Sequence, residues 1–323
     1  MNSTQSFRSY PLTIDSFRKE YQEKDLNEFY KNHDNIFQNE YGIPFSESLE
    51  YEVLSVEQGF VNDGRNYVFM ESKVIDHLYS LKYRPDTLDY LTLPFDSFSI
   101  SPSSDSKLAG KPLMPILVVS SKSVQQGYKC LSGDFGVTPP ILKEEPLFTI
   151  MICGDGNKSG ARESSSITAS QLKQILQQDA DDCDLSEIVG SYNQHSDRIL
   201  DKERGISLMK SVKLVASFLL YNQITQDKYL IEGFPETFAK KPKRLGLMKR
   251  DMNLVRGCFF GVDVPKRESK KNHHIRIGHY RQLVNERYYK GEYESWVRGS
   301  RWVEVSPSLI GGGEVHTQSV QSY

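Results

Sequence analysis

Three features of the sequence predict an α/β (α+β) chain: a mixed-sheet amino-terminal domain with a core helix, then a smaller basic, β-rich domain. Short apolar runs alternate with helix-period segments, the stretch Ile206 to Tyr221 is apolar on most faces, and positive charge gathers beyond residue 239. With 323 residues, 38% of them hydrophobic and 25% charged, the chain can bury a core without disulfides or metals. The expected division is a partner-recognition domain over 1–238, a basic β-rich domain over 239–310 and a flexible tail over 311–323.

From Ile14 to Phe37, apolar side chains recur near every 3.6 residues among charges, which predicts an amphipathic helix capped by Thr13 or Asp15. Tyr51 to Val56 and Asn66 to Met70 read as strands around the turn signal Asn62-Asp63-Gly64, followed by a short helix from Ser72 to Tyr79. Ser97 to Pro112, rich in Ser, Pro and Gly, reads as a loop, and Ile116 to Ser120 and Leu147 to Cys153 as short buried strands. Gly154 to Gly160 is loop-like. It fails the phosphate-loop pattern because Asn157 stands between its second glycine and Lys158. A helix is expected near Ser170 to Gln178, then an exposed acidic connector carrying Asp179, Asp181, Asp182 and Asp184, which lacks the spacing of a calcium loop.

Ile206 to Tyr221 has the pattern of a helix packed centrally in a domain. Lys240-Lys241-Pro242-Lys243-Arg244 is the expected boundary, since a proline and a block of like charge both oppose compact packing. Beyond it, Asn253 to Val264 reads as a strand broken near Gly257 and Gly261, and Pro265 to Asn272 as a basic loop.

Formal net charge is only −2, yet residues 240–301 hold 17 Lys+Arg against 6 Asp+Glu, net +11, leaving −13 on the rest. Such a region concentrates polyanions and favours phosphate contacts. The four cysteines are far apart and form no C-x-x-C pair, so neither a zinc ribbon nor a redox motif is expected. The amino end lacks a secretory apolar stretch, and Ile206 to Tyr221 is too short and too charged to span a bilayer. The expectation is a cytoplasmic protein with no membrane anchor, cofactor or metal.

The densest chemistry lies near the carboxy end, in His273-His274-Ile275-Arg276-Ile277-Gly278-His279-Tyr280-Arg281 followed by Trp296, Arg301 and Trp302. In a plain strand, alternation separates His274, Arg276 and Tyr280 from His279 and Arg281. A bulge at Gly278 would reset that alternation and gather His274, Arg276 and His279 into one site. Two imidazoles could then serve as base and acid, with a guanidinium at the developing phosphate charge. The expected RNA or phosphate contacts are Arg276, Tyr280, Arg281, Trp296, Arg301, Trp302, Lys240, Lys241, Lys243 and Arg244: cations that grip phosphate, aromatic planes that stack on bases. A zinc site from His273, His274 and His279 is disfavoured because no thiolate or carboxylate is close in sequence. The architectural reading has these side chains bonding backbone around a glycine, with Trp302 filling a small core.

The string His274-Ile275-Arg276-Ile277-Gly278-His279-Tyr280-Arg281 followed by Arg301-Trp302 resembles the H-[IV]-R-R-G-H-W-x … R-W-x-P signature of a family of phages and mobile elements, the type V-A anti-CRISPR family that lowers effector-nuclease transcript. Thr92-Leu93-Pro94-Phe95 and Leu219-Leu220-Tyr221-Asn222 extend the resemblance upstream. In this chain Ile277 replaces the second arginine, Tyr280 the tryptophan and His273 a proline, and Pro307 stands five residues after Trp302. The resemblance implies a protein acting in the host cytoplasm that recognises the emerging amino end of a defence nuclease and lowers its mRNA during translation. Carried over by residue, it marks His274, Arg276, Gly278, His279 and Trp302. Two other classes stay open: a stoichiometric protein-binding inhibitor with a structural carboxy-terminal module, and a self-contained metal-independent ribonuclease.

Overall fold

The computed structural model describes residues 6–15, 26–81, 91–108, 110–132, 146–153, 162–177, 202–236, 238, 255–261, 274–276, 279–298, 301–305 and 308–310. In chain order the elements are α1 (Leu26–Tyr41), α2 (Leu49–Asn62), β1 (Asn66–Met70), α3 (Ser72–Ser80), β2 (Ser97–Pro102), β3 (Lys107–Leu108), β4 (Lys111–Pro112), β5 (Ile116–Val119), α4 (Ser121–Ser132), β6 (Phe148–Cys153) and β7 (Arg162–Ile167). There follow α5 (Ala169–Gln177), α6 (Lys202–Ile224), β8 (Leu230–Glu232), β9 (Arg256–Phe260), β10 (His274–Arg276), β11 (His279–Leu283), β12 (Arg301–Val305) and β13 (Ser308–Ile310).

Seven strands form one sheet in the order β7-β6-β5-β2-β1-β9-β8. β1 runs parallel to both β2 and β9, and the remaining neighbours are antiparallel. Helices cover both faces, so β1, β2, β5 and β6 are buried at every position rather than at alternate ones. Val68, Met70, Ile116, Val118, Phe148 and Ile150 join one core with α3, α5 and α6, while Tyr67, Phe69, Leu117, Val119 and Met151 join the other with α2 and α4. The helix α6 is buried around most of its circumference from Leu208 to Tyr221, as its all-round apolar sequence predicts.

Helix starts follow their caps. Ser48 accepts the Tyr51 N–H at the head of α2, and Thr168 and Gln171 bond reciprocally at the head of α5, a capping box. The helices α2 and α4 cross very closely. A Cβ on Gly127 would lie 1.9 Å from the Ser55 carbonyl oxygen, and one on Gly59 2.5 Å from that of Ser123, so only glycine fits.

Several expectations are corrected. Tyr51 to Val56 is helical, and Asn62-Asp63-Gly64 is the end of that helix rather than a hairpin turn, with φ of 85° at Gly64 and 53° at Arg65. Ser97 to Pro102 is a fully buried strand, not a loop; Ser97, Ser99 and Ser101 are small enough to lie beneath closely packed helices. The helix α4 and the strand β7 were not expected at all. Arg256–Phe260 is unbroken at Gly257 and pairs along its length with β1, so the main sheet takes in a strand from beyond the expected boundary at 238/239. The 154–160 loop, the acidic run, residues 240–244 and the tail from 311 lie outside the described residues. Among the described residues no helix is long and apolar enough to cross a membrane, and no group of three or more His, Cys, Asp or Glu is placed to hold a metal.

Candidate functional site

The segment carrying the histidines is two strands in two ladders. His274–Arg276 pairs antiparallel with Ser308–Ile310, and His279–Leu283 with Arg301–Val305. His274 stands opposite Ile310, Arg276 opposite Ser308, His279 opposite Val305, Tyr280 opposite Glu304, Arg281 opposite Val303, and Trp302 opposite Gln282. Two residues separate the ladders on each strand, 277–278 on one and 306–307 on the other. A bulge places an extra residue on one strand alone. The described pairs on the two sides fall in one common register, while Gly278 itself lies outside the described residues. Lys240, Lys241, Lys243 and Arg244 lie outside the described residues.

Between the two paired strands, residues 283–298 build a knot of tyrosines and arginines that Arg301 joins. Asn285 caps a short 3-10 turn by accepting the Arg287 N–H at 3.1 Å, and the chain doubles back through Gly291, whose φ of 64° suits a residue without Cβ. The buried Tyr289 hydroxyl donates to the Leu283 carbonyl and accepts the Arg301 N–H at 3.2 Å, joining the first strand to the second. The Arg301 guanidinium lies 3.4 Å from the centroid of the Tyr293 ring and donates to the Tyr288 carbonyl. Arg301 is thus half-buried and engaged in holding the knot.

Trp296 packs edge-on against Tyr293, ring centroids 5.4 Å apart, and keeps 52% of its surface exposed; Val297 next to it is 78% exposed. Arg298 pairs with Glu286 at 2.8 Å on the surface, where such pairs are worth little. The knot therefore presents one large aromatic side chain to solvent on a support of fixed rings. Of the expected contacts, Trp296 is exposed and Arg301 is committed to architecture. The tyrosines 288, 289 and 293 were missed, although their close spacing in Glu286 to Trp296 was a visible signal.

A second cluster, also missed, lies under the amino-terminal segment. Glu57 of α2 is fully buried; its carboxylate accepts the Ile14 N–H at 2.8 Å and the Tyr10 hydroxyl at 3.4 Å, with the Arg162 Nε 3.8 Å away. Arg162 also donates to the Pro11 carbonyl at 2.6 Å and faces the Tyr10 ring. Burial pushes the Glu57 carboxyl up to about 7, against the pull of the Ile14 N–H, Arg162 and Thr13. Burial likewise raises the Tyr10 phenol, and the Cys153 thiol up to about 11. Both stay protonated near neutral pH, so neither is a poised nucleophile. The cluster fastens the segment 10–14 onto α2. Reading 51–56 as a strand hid Glu57, which falls on the same helical face as Leu54 and Phe60.

Compared with protein-family models, with curated proteins and with solved structures, the chain matches none.

Proposed function

We propose that the chain is an anti-defence regulator that recognises a nascent protein partner and lowers that partner's mRNA during translation, its basic carboxy-terminal region facing RNA or the ribosome. The observation that carries the RNA-facing part is Trp296, half exposed on the Tyr293–Arg301 support inside a region of net +11. A half-exposed aromatic plane within a chain region of net positive charge suits stacking on an unpaired base, which needs no sequence-specific hydrogen bond. The resemblance of His274 to Arg281 and Arg301-Trp302 to the type V-A anti-CRISPR signature supports the regulatory part. Cleavage of RNA would need His274 and His279 to act as acid and base at one phosphate, whereas stacking by Trp296 needs no such meeting.

The test is inducible expression beside a translating effector-nuclease gene of the type V-A class, with the nuclease mRNA quantified. The expected result is a fall in that mRNA only while its amino-terminal codons are translated, lost in His274→Ala/Arg276→Ala. An unchanged mRNA level with wild-type protein rejects the proposal. The exposed Val297 beside Trp296 favours one competing reading, a stoichiometric inhibitor that covers a protein surface. That reading predicts nuclease inhibition in a purified system with no change in mRNA.

A further inference from the structure

The helix α1 touches the rest of the described chain through little of its surface. Among its described side chains, from Lys31 to Tyr41, none is buried, and only His33, Asp34 and Phe37 are partly buried. A helix in water draws most of its stability from covering an apolar stripe, so a stripe left open calls for a partner. Gly42, with φ of 71°, closes α1 by donating its N–H to the Gln38 carbonyl at 3.2 Å, and the chain folds back until the Phe45 N–H reaches Asp34 Oδ1 at 2.8 Å. Ile43 is thereby laid beside the last turns of α1. It is 37% exposed, Ile36 46% and Tyr41 64%.

Beneath these side chains the rings are fixed. Tyr41 packs on Phe37 with centroids 5.2 Å apart, Phe37 on Phe45 at 5.2 Å, and the buried Phe45 edge-on against Tyr51 at 5.3 Å. Tyr41 is the outer ring of a stack rooted in the core, and rigid aromatic anchors of this kind concentrate binding energy at protein interfaces. The surroundings carry one sign of charge. From Asn32 to Gly64 the sequence holds seven Asp+Glu and no Lys or Arg. Glu40 at the end of α1 and Glu50 in the first turn of α2 are exposed. The last turn of α1 holds no basic residue, so a helix end already partly negative carries an acid as well.

We infer that this face, with Ile36, Tyr41 and Ile43 open and Glu40 and Glu50 at its rim, docks a basic amphipathic helix of a partner protein. The apolar stripe of that helix covers the three open side chains, and its Lys or Arg residues meet the acids and the carboxyl end of α1. RNA is a poor occupant, because the same acids repel its phosphates. The inference rests on the reading of the amino-terminal domain as the part that recognises a protein, and it adds the chemistry of what is recognised.

The experiment titrates the full chain with a labelled helical peptide of leucine and lysine that carries one apolar stripe, read by fluorescence anisotropy and amide chemical shifts. Two controls run beside it: the same composition in scrambled order, and a leucine and glutamate peptide with the same stripe. The expected result is saturable binding of the first peptide alone, weakened by salt, with shifts at Ile36, Glu40, Tyr41 and Ile43. Ile36→Ser/Tyr41→Ser should weaken it by about tenfold or more with the melting temperature little changed. Glu40→Gln/Glu50→Gln should remove most of the salt dependence. No saturation, equal binding of either control, shifts confined to other parts of the molecule, or equal affinity in Ile36→Ser/Tyr41→Ser would overturn the inference. So would self-association of the chain that the same double variant abolishes, since the face would then belong to a second copy. A fall in nuclease mRNA without peptide binding sinks this inference and leaves the proposed regulator standing, and peptide binding without a fall in mRNA does the reverse.

Discussion

In the seven-stranded sheet Val68, Ile100, Ile116, Val118 and Ile150 are wholly removed from water, and each face is roofed by helices. In residues 279–298 and 301–305 the stays are of another kind: one buried tyrosine hydroxyl, a guanidinium on a ring, and two strands paired through their backbones. Apolar burial is worth about 25 cal/mol per Å², whereas a hydrogen bond nets about 1 kcal/mol because water competes for it. The sheet therefore holds the overall stability. The knot can expose Trp296 because its shape does not depend on burying that ring.

The sharpest way to break the first region is Phe218→Ala. Phe218 is fully buried in α6, with the rings of Phe98 and Phe260 at centroid distances of 5.4 Å and 4.8 Å. Removing it should cost about 3–5 kcal/mol in urea unfolding. A loss below 1 kcal/mol would mean that α6 is not the centre of the core.

That centre was legible because burial on all sides leaves a sequence apolar on all sides, and the same logic exposed Ile116 to Val119 and Phe148 to Cys153. It failed for β2, where Ser97, Ser99 and Ser101 carry the composition of a loop. Their burial is set by how closely α2 and α4 approach, through Gly59 and Gly127, and no local pattern records that distance. The charge block at 240–244 reads as a boundary, yet β9 returns to pair with β1, a contact between residues remote in sequence. At the carboxy end the residue types were legible as a motif. Their register was not, since it is fixed by 301–310, which carries no turn signal pointing back to 274–283.

A second measurement sharpens the comparison by pH. The Glu57 carboxyl is raised in the folded state from 4.5 to about 7, so the native protein binds that proton more tightly than the unfolded chain does. Its contribution to stability is fully present below about pH 4.5, and it falls as pH rises to about 7, by on the order of 3 kcal/mol. Glu57→Gln should flatten that part of the stability profile. A slope that persists in the variant would place the proton elsewhere.

Within the knot, Tyr289→Phe removes the bond to the Leu283 carbonyl and the acceptor for the Arg301 N–H. About 1–2 kcal/mol should be lost. The loss should appear as faster hydrogen exchange at the amides of 279–283 and 301–305, with α6 amides unchanged. Faster exchange at the α6 amides as well would show that the two regions unfold as one unit, contrary to the comparison.

The smallest effect on stability should come from Trp296→Ala, and it separates support from display. The ring is half exposed and makes one edge contact to Tyr293, so its removal should shift unfolding by no more than about 0.5 kcal/mol. Base stacking on an aromatic ring is worth about 1–3 kcal/mol, which makes the expected loss in binding to single-stranded RNA about five- to 150-fold. Trp296→Phe should restore much of it. If RNA binding is instead unchanged by Trp296→Ala while Tyr289→Phe abolishes it, the exposed ring is incidental, and the surface that meets RNA is the paired strands themselves.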